Sequence, residues 1–390
     1  VKLPIYLDHH ATTPVDPRVL EAMLPTFTAV FGNAASKTHS FGWQAAEAVD
    51  RARAEVARLI GAEAKEVVFT SGATESNNLA LRGVAEQLRE RGDHVIAAAT
   101  EHSSVLDVLK ALEADGLRIT VLPVDAAGLV DPGAVRAAIT DRTILVTVMA
   151  ANNEIGTLAP MAELGAVARE RGVLFHTDAT QAVGKVPVSV EEWGVGLLSL
   201  SAHKLYGPKG AGALYVRSRN PRARLRPQMH GGGHERGLRS GTVNVPGVVG
   251  LGRACALARE EMGAEARRLE GLRDRLERGL MERLEGVARN GAQRPRLPGN
   301  ANLSFAGVEG DALMMGIKEI AVSSGSACTS ANPEPSHVLK AIGVPPELSR
   351  SSIRFGLGRW TTEEEIDFAI ERVATVVTKL RQLSPTARGA

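Results

Sequence analysis

Val67-Val68-Phe69-Thr70-Ser71-Gly72-Ala73-Thr74-Glu75 runs from a β-branched apolar stretch, through small polar residues, into a helical pattern that continues to Arg89. An apolar run of this length bounded by Ser and Gly reads as a strand, and the hydroxyl residues after it read as a helix start. The same alternation then repeats. Further strands are expected at His94 to Ala98, Leu117 to Val124, Ile144 to Met149, Val173 to Phe175, Leu197 to Leu200 and Ala213 to Val216. Helices are expected between them at Ser103 to Ala114, Pro132 to Ile139 and Met161 to Arg171. Such alternation builds an α/β fold around a mostly parallel seven-stranded sheet covered by helices, with ligands at the carboxyl ends of the strands.

The chain has 390 residues, more than one core usually serves, so a second domain is expected. From Val245 the texture changes to a long charged helical region through Leu284. Strands near Asn302 to Phe305 and Ile353 to Phe355 follow, with a helix around Asp311 to Lys318 and a last helix striped by Ile366, Ile370, Val373, Val377 and Leu380. We therefore expect an N-terminal segment at 1–20 packing with the small domain, a large domain at 21–250 and a smaller α+β domain at 251–390. A net charge of +2 gives no reason to expect nucleic acid or a membrane as partner. The cluster Arg217, Arg219, Arg222, Arg224 and Arg226 is a local exception that also reads as a solvated loop. Cys255 and Cys328 are the only cysteines, too few for a disulfide framework, and no export signal is visible, so the expected compartment is the reducing cytoplasm.

Chemistry is expected at the strand ends. Ser71 to Glu75 offers hydroxyls and free N–H groups at a helix N-terminus, which seats a phosphate or serves as an ordinary N-cap. Val173-Leu174-Phe175-His176-Thr177-Asp178 ends a buried strand in a carboxylate. That carboxylate needs a cation, such as a protonated pyridine nitrogen, or else belongs to a structural ion pair or cap. Leu198-Ser199-Leu200-Ser201-Ala202-His203-Lys204 places an amine where a strand breaks into a turn. A lysine kept partly dry there suits Schiff-base chemistry, although a surface lysine could occupy the same place. Thr74, His102, Asn153, Asp178, Gln181, His203 and Lys204 all fall at or just after strand ends, where one cofactor could meet them all. Gly207, Gly210 and Gly212 open no helix and make a poor dinucleotide loop.

With those residues in place, the chain resembles a class V, fold-type I pyridoxal-phosphate enzyme, and in particular the cysteine desulfurases of the housekeeping iron-sulfur assembly type. The resemblance runs from Tyr6-Leu7-Asp8 and Ala11-Thr12-Thr13-Pro14 through Phe69 to Ser76, Ala179-Thr180-Gln181 and His230-Gly231-Gly232-Gly233-His234-Glu235. It continues through Ser323-Ser324-Gly325-Ser326-Ala327-Cys328-Thr329-Ser330 to Ser351-Ser352-Ile353-Arg354-Phe355. The Cys328 segment is its most specific part.

The resemblance implies pyridoxal 5'-phosphate as cofactor, with Lys204 as its Schiff-base lysine, Asp178 on the pyridine nitrogen and Gln181 on the phenolic oxygen. It implies His102 stacked on the ring and moving protons, and Ala73, Thr74, Ser201 and His203 around the phosphate, with Thr242 reaching it from a second subunit of a homodimer. Asn153 and Arg354 would hold the carboxylate of L-cysteine, for which the guanidinium fork is the suitable geometry. Cys328, among Ser, Gly, Ala, Asn and Pro residues, would sit on an exposed loop, take the substrate sulfur as a persulfide and pass it to an acceptor protein for iron-sulfur cluster assembly or tRNA thiolation. Cys255, in an Ala-rich helical segment, reads as core.

Two departures from the family pattern stand out. Ala150 occupies a position where relatives commonly have a histidine, and the chain ends at Ala390 where close relatives carry a longer tail that docks the cluster scaffold. Scaffold docking is thus expected to be weak or to use another surface. A selenocysteine lyase or another class V lyase or aminotransferase would share the cofactor site, but Cys328 favours desulfuration. A zinc site on His230 and His234 is disfavoured by flexible Gly-rich spacing, and no metal is expected. A catalytically idle sulfur-relay scaffold would need neither Lys204 nor Arg354.

Overall fold

In the computed structural model, which describes residues 1–324 and 335–383, the chain opens with β1 (Ile5–Tyr6), α1 (Pro17–Met23), α2 (Pro25–Thr28) and α3 (Ser40–Ile60). The alternating region follows as β2 (Val67–Thr70), α4 (Ala73–Gln87), β3 (His94–Ala98), α5 (Ser103–Ala114), β4 (Arg118–Leu122) and α6 (Pro132–Ala138). It continues with β5 (Thr143–Thr147), α7 (Met161–Glu170), β6 (Leu174–Asp178), β7 (Leu197–Ser201) and β8 (Gly212–Val216). Beyond it lie α8 (Val245–Arg283), β9 (Val287–Arg289), β10 (Asn300–Phe305), α9 (Gly310–Gly316), β11 (Ile320–Ala321) and β12 (Ser323–Ser324). The last elements are α10 (His337–Ala341), α11 (Pro346–Arg350), β13 (Ser352–Gly356) and α12 (Glu363–Leu383).

The large sheet has seven strands in the order β2-β8-β7-β6-β5-β3-β4. All neighbours run parallel except β8, which is antiparallel to both β2 and β7. Strands β3, β5, β6 and β7 are buried along their whole length, which is why they read as near-continuous apolar runs. Strand β6 runs past Phe175 to Asp178 despite its polar residues. The buried His176 is satisfied on both ring nitrogens, by Thr147 Oγ1 at 2.8 Å and Ser199 Oγ at 3.1 Å, so the strand continues at little cost. Helix α4 begins at Ala73, two residues before Glu75, because Gly72 adopts φ +154°, a conformation that side chains disfavour, and turns the chain there.

The second sheet is antiparallel, in the order β12-β13-β10-β9. Its core joins Leu303, Phe305, Ile353 and Phe355 to the inner stripe of α12. Strand β1 pairs parallel with β11, placing Ile5 and Leu7 in this core, whereas Val19 of α1 belongs to the core beneath the large sheet. Helix α8, with 39 residues, is roughly 58 Å long at 1.5 Å per residue. Its first half packs Val248, Leu251 and Cys255 against the large core, and its second half packs Leu269, Leu272, Leu276 and Leu280 against the small one. Gly252 lets α8 cross α3 closely, since a Cβ there would stand 2.5 Å from the Ala52 Cα. Among the described residues no helix is long and apolar enough to cross a membrane.

Candidate active site

The carboxyl ends of β2, β6 and β7, with the segments after β3 and β5, surround a cavity of about 550 Å³. Ala73, Thr74, His102, Asn153, Asp178, Gln181, Ser201, His203 and Lys204 all line it. Parallel strands end together, so residues far apart in the chain meet at one mouth.

Lys204 follows β7 in a short 3-10 turn, and its Nζ donates to the carbonyls of His10 and Ala11, each at 2.6 Å. Burial lowers its pKa to about 8, helped by the nearby Arg354 and opposed by Asp178 and Asp8. Asp178 is 5% exposed, and its oxygens accept from Asn77 Nδ2 at 2.8 Å and the Thr180 N–H at 3.0 Å. Among the described residues no cation pairs with it. Burial raises the Glu101 carboxyl well above its usual range, with the Met149 N–H opposing and the Asp178 charge adding to the rise.

Asn77 extends the site beyond Asp178, because its Nδ2 also donates to Ser104 Oγ at 2.9 Å. That hydroxyl lies 2.8 Å from His102 Nδ1, which accepts the Ser104 N–H at 3.1 Å as it caps α5. With Nδ1 an acceptor, the neutral imidazole carries its proton on Nε2. His203 is neutral near pH 7, its pKa pushed down to about 4 by burial and then by Lys204, and its Nδ1 lies 3.1 Å from Thr12 Oγ1.

Gln181 is held on three sides. Its Oε1 accepts from Lys185 Nζ at 2.6 Å and lies 3.0 Å from His10 Nδ1, while its Nε2 donates to the His10 carbonyl at 3.0 Å. Arg354, on β13 and 8% exposed, donates from Nη2 to Asp8 Oδ1 and Ser323 Oγ and from Nη1 to the Asn153 carbonyl. Its Nε is buried without a partner among the described residues. Arg354 thus stands beside Asn153 at the cavity edge, carried there by the small sheet.

The pyridoxal-phosphate group fits this cavity on observations of the cavity itself. Asp178 is a buried carboxylate lacking a cation, Lys204 is a desolvated amine, and Ala73 and Thr74 are the first residues of α4, whose leading N–H groups have no intrahelical partner. A Cβ at Gly72 would point toward Ser201 Oγ at 3.8 Å, into the same seat. Thr242 is exposed and does not line the cavity of its own chain. Cys328 lies outside the described residues, whereas Cys255 is fully buried in the large core, where burial pushes its thiol up.

His10, Asn77 and Lys185 are not singled out by the sequence, and Asp8 stands there only within the motif Tyr6-Leu7-Asp8, with no partner assigned. Asn77 carried the clearest signal, a polar residue one turn after Thr74 on a helix face that is otherwise apolar. His10 and Asp8 come from the N-terminal segment, and nothing local reveals which strand end they meet.

The family model for aminotransferase class-V matches residues 5–368. The chain is 60% identical over 385 residues to a cysteine desulfurase IscS of Anaeromyxobacter dehalogenans (strain 2CP-C), covering 99% of this chain and 95% of the relative. Among solved structures it superposes on a NifS-like protein with a TM-score of 0.90 at 38% identity, covering 97% of this chain and 100% of that one. A structure described as SspA in complex with cysteine matches with a TM-score of 0.81 at 37% identity, covering 92% and 100%. The chain belongs to the class-V aminotransferase family, among its cysteine desulfurases.

Proposed function

We propose that the chain binds pyridoxal phosphate through Lys204, removes sulfur from L-cysteine onto Cys328 and releases L-alanine. The observation that carries this reading is the meeting, in one cavity, of the dry Lys204 amine with Asp178, a buried carboxylate with no cation paired to it among the described residues. The names of the relatives and the cysteine-bound SspA structure support the substrate.

When bound, pyridoxal phosphate supplies an electron sink for the carbon skeleton of an attached amino acid. Asp178 would keep the ring nitrogen protonated, and Asn77 and the Thr180 N–H hold that carboxylate in place. The first N–H groups of α4, with Ser201 and the neutral His203, would hold the phosphate. Arg354, whose Nε has no partner among the described residues, would hold a substrate carboxylate beside Asn153. His102, with Nδ1 fixed by Ser104, would hold or move a proton at Nε2. The Cys328 thiolate then attacks the substrate Sγ, so that a sulfur–sulfur bond forms and the Cβ–Sγ bond breaks. The carbon keeps the electron pair and takes up a proton, giving alanine and a Cys328 persulfide.

Two copies would complete the site, with Thr242 of each reaching the phosphate seat of the other. Leu20, Leu24 and Phe27 are exposed on α1 and α2, an apolar surface that a second copy would cover. The persulfide sulfur would pass to an acceptor protein of iron-sulfur assembly or tRNA thiolation, in the cytoplasm. Incubation with L-cysteine tests the activity: alanine should form, with matching sulfide released when a reductant is added. Alanine from selenocysteine alone would make the chain a selenocysteine lyase, and amino-group exchange with a 2-oxo acid would make it an aminotransferase. Sedimentation of a fully active monomer would refute the shared site.

A further inference from the structure

Lys185 does not line the Lys204 cavity but lines a second one of about 660 Å³, with residues of α7 and α8. It is part-buried, and burial, then Lys204 and Arg354, lower its pKa to about 7, with Glu265 alone acting to raise it. His9 and His10, also close by, are held neutral by burial. A lysine kept at such cost needs a partner, and its partner is Gln181 Oε1 at 2.6 Å.

An amide in a protein can usually turn over, exchanging its oxygen and nitrogen. Here the oxygen faces Lys185 and His10 Nδ1, and one N–H is spent on the His10 carbonyl. Turning the amide would take away the acceptor to which Lys185 Nζ donates and face the His10 carbonyl with an oxygen. The orientation seen leaves one Gln181 N–H uncommitted, on a side chain that lines the cavity.

We propose that Lys185 is a positioning residue that locks the Gln181 amide with its free N–H turned to the phenolic oxygen of pyridoxal phosphate. The inference rests on the cofactor reading above. A donor at that oxygen favours its ionised form, so losing the lock should weaken cofactor binding and raise the pH at which the visible band of the bound cofactor changes.

A double-mutant cycle tests this, using Lys185→Met, Gln181→Ala and the pair, in the full chain reconstituted with pyridoxal phosphate. Each single variant should weaken cofactor binding about tenfold and move the band transition upward, as loss of one hydrogen bond to an ionised oxygen would. In the Gln181→Ala background, Lys185→Met should add less than about twofold, because its effect passes through Gln181. Effects of the single variants that multiply in the pair, or a Lys185→Met protein with parental binding and transition, would overturn the proposal. A parent that takes up no pyridoxal phosphate with a visible band would instead overturn the reading on which it rests.

Discussion

Lys204 and Asp178 act as a pair of opposite tendencies, an amine that burial makes less basic and a carboxylate that burial leaves in need of a cation. At a pKa of about 8, roughly a tenth of the Lys204 amine is neutral at pH 7, against roughly 0.03% for an unperturbed lysine. The neutral amine is the nucleophile, so covalent capture of pyridoxal phosphate should speed up as pH rises through about 8 and then level off. Stopped-flow absorbance measures this, and a rate that instead climbs toward pH 10 would show an ordinary exposed amine. Lys204→Ala should abolish the visible band, with borohydride fixing cofactor only to the parent. Asp178→Asn, nearly the same shape without the charge, should lower turnover roughly 100-fold or more while folding survives. Parental turnover would make Asp178 structural. Both residues were legible in the sequence because a strand end announces itself through an abrupt change to polar and turn-forming residues. Asn77, His10 and Lys185 were not, because each matters only through a neighbour that tertiary folding brings to it.

At the scale of elements, the cavity floor depends on how β2 is pinned. Arg53 of α3 donates to both carboxylate oxygens of Glu235 at 2.7 Å and to the Val67 carbonyl at 2.8 Å, and it lies 4.5 Å over the Phe69 ring. Glu235 also accepts the Phe69 N–H at 2.8 Å, so one buried ion pair ties α3, β2 and the turn after the Gly-rich segment together. Glu235→Ala would strand Arg53 with its charge buried and should cost about 3–5 kcal/mol, measured by denaturant titration. A loss below about 1 kcal/mol would mean that Arg53 finds solvent and the tie is dispensable. The seven strands of the large sheet, α5 and the long α8 were readable from periodicity, since apolar runs and helical stripes are local patterns. The antiparallel setting of β8 was not, because apolar content does not encode strand direction.

The whole molecule is joined across its two cores by charged contacts that no local pattern reveals. Asp16, which caps α1, is buried and accepts from Arg18 and from Arg359 Nη1 at 2.7 Å, and Arg359 also reaches Glu265 of α8 at 2.8 Å. The Arg18 hydrogen bonds, with help from Arg359, hold the Asp16 carboxyl far below the usual carboxylate range. A lowered pKa of this kind contributes stability that is full above the ordinary carboxylate value and is lost progressively as pH falls from there toward the lowered one. The parent should lose about 1–3 kcal/mol to this group as pH drops below about 4, and Asp16→Asn should flatten that part of the acid slope. Equal slopes in parent and variant would assign the acid sensitivity elsewhere. The central proposal also belongs to this scale, since sulfur would pass from a substrate held at the large sheet to Cys328, in the segment between β12 and α10. Single-turnover labelling with sulfur-labelled L-cysteine, followed by peptide mapping, tests it most directly. Label should appear on the Cys328 peptide in step with alanine, and the Cys328→Ser protein should bind cofactor normally yet form neither. Label on Cys255, or alanine from the Ser variant at the parental rate, would contradict the account.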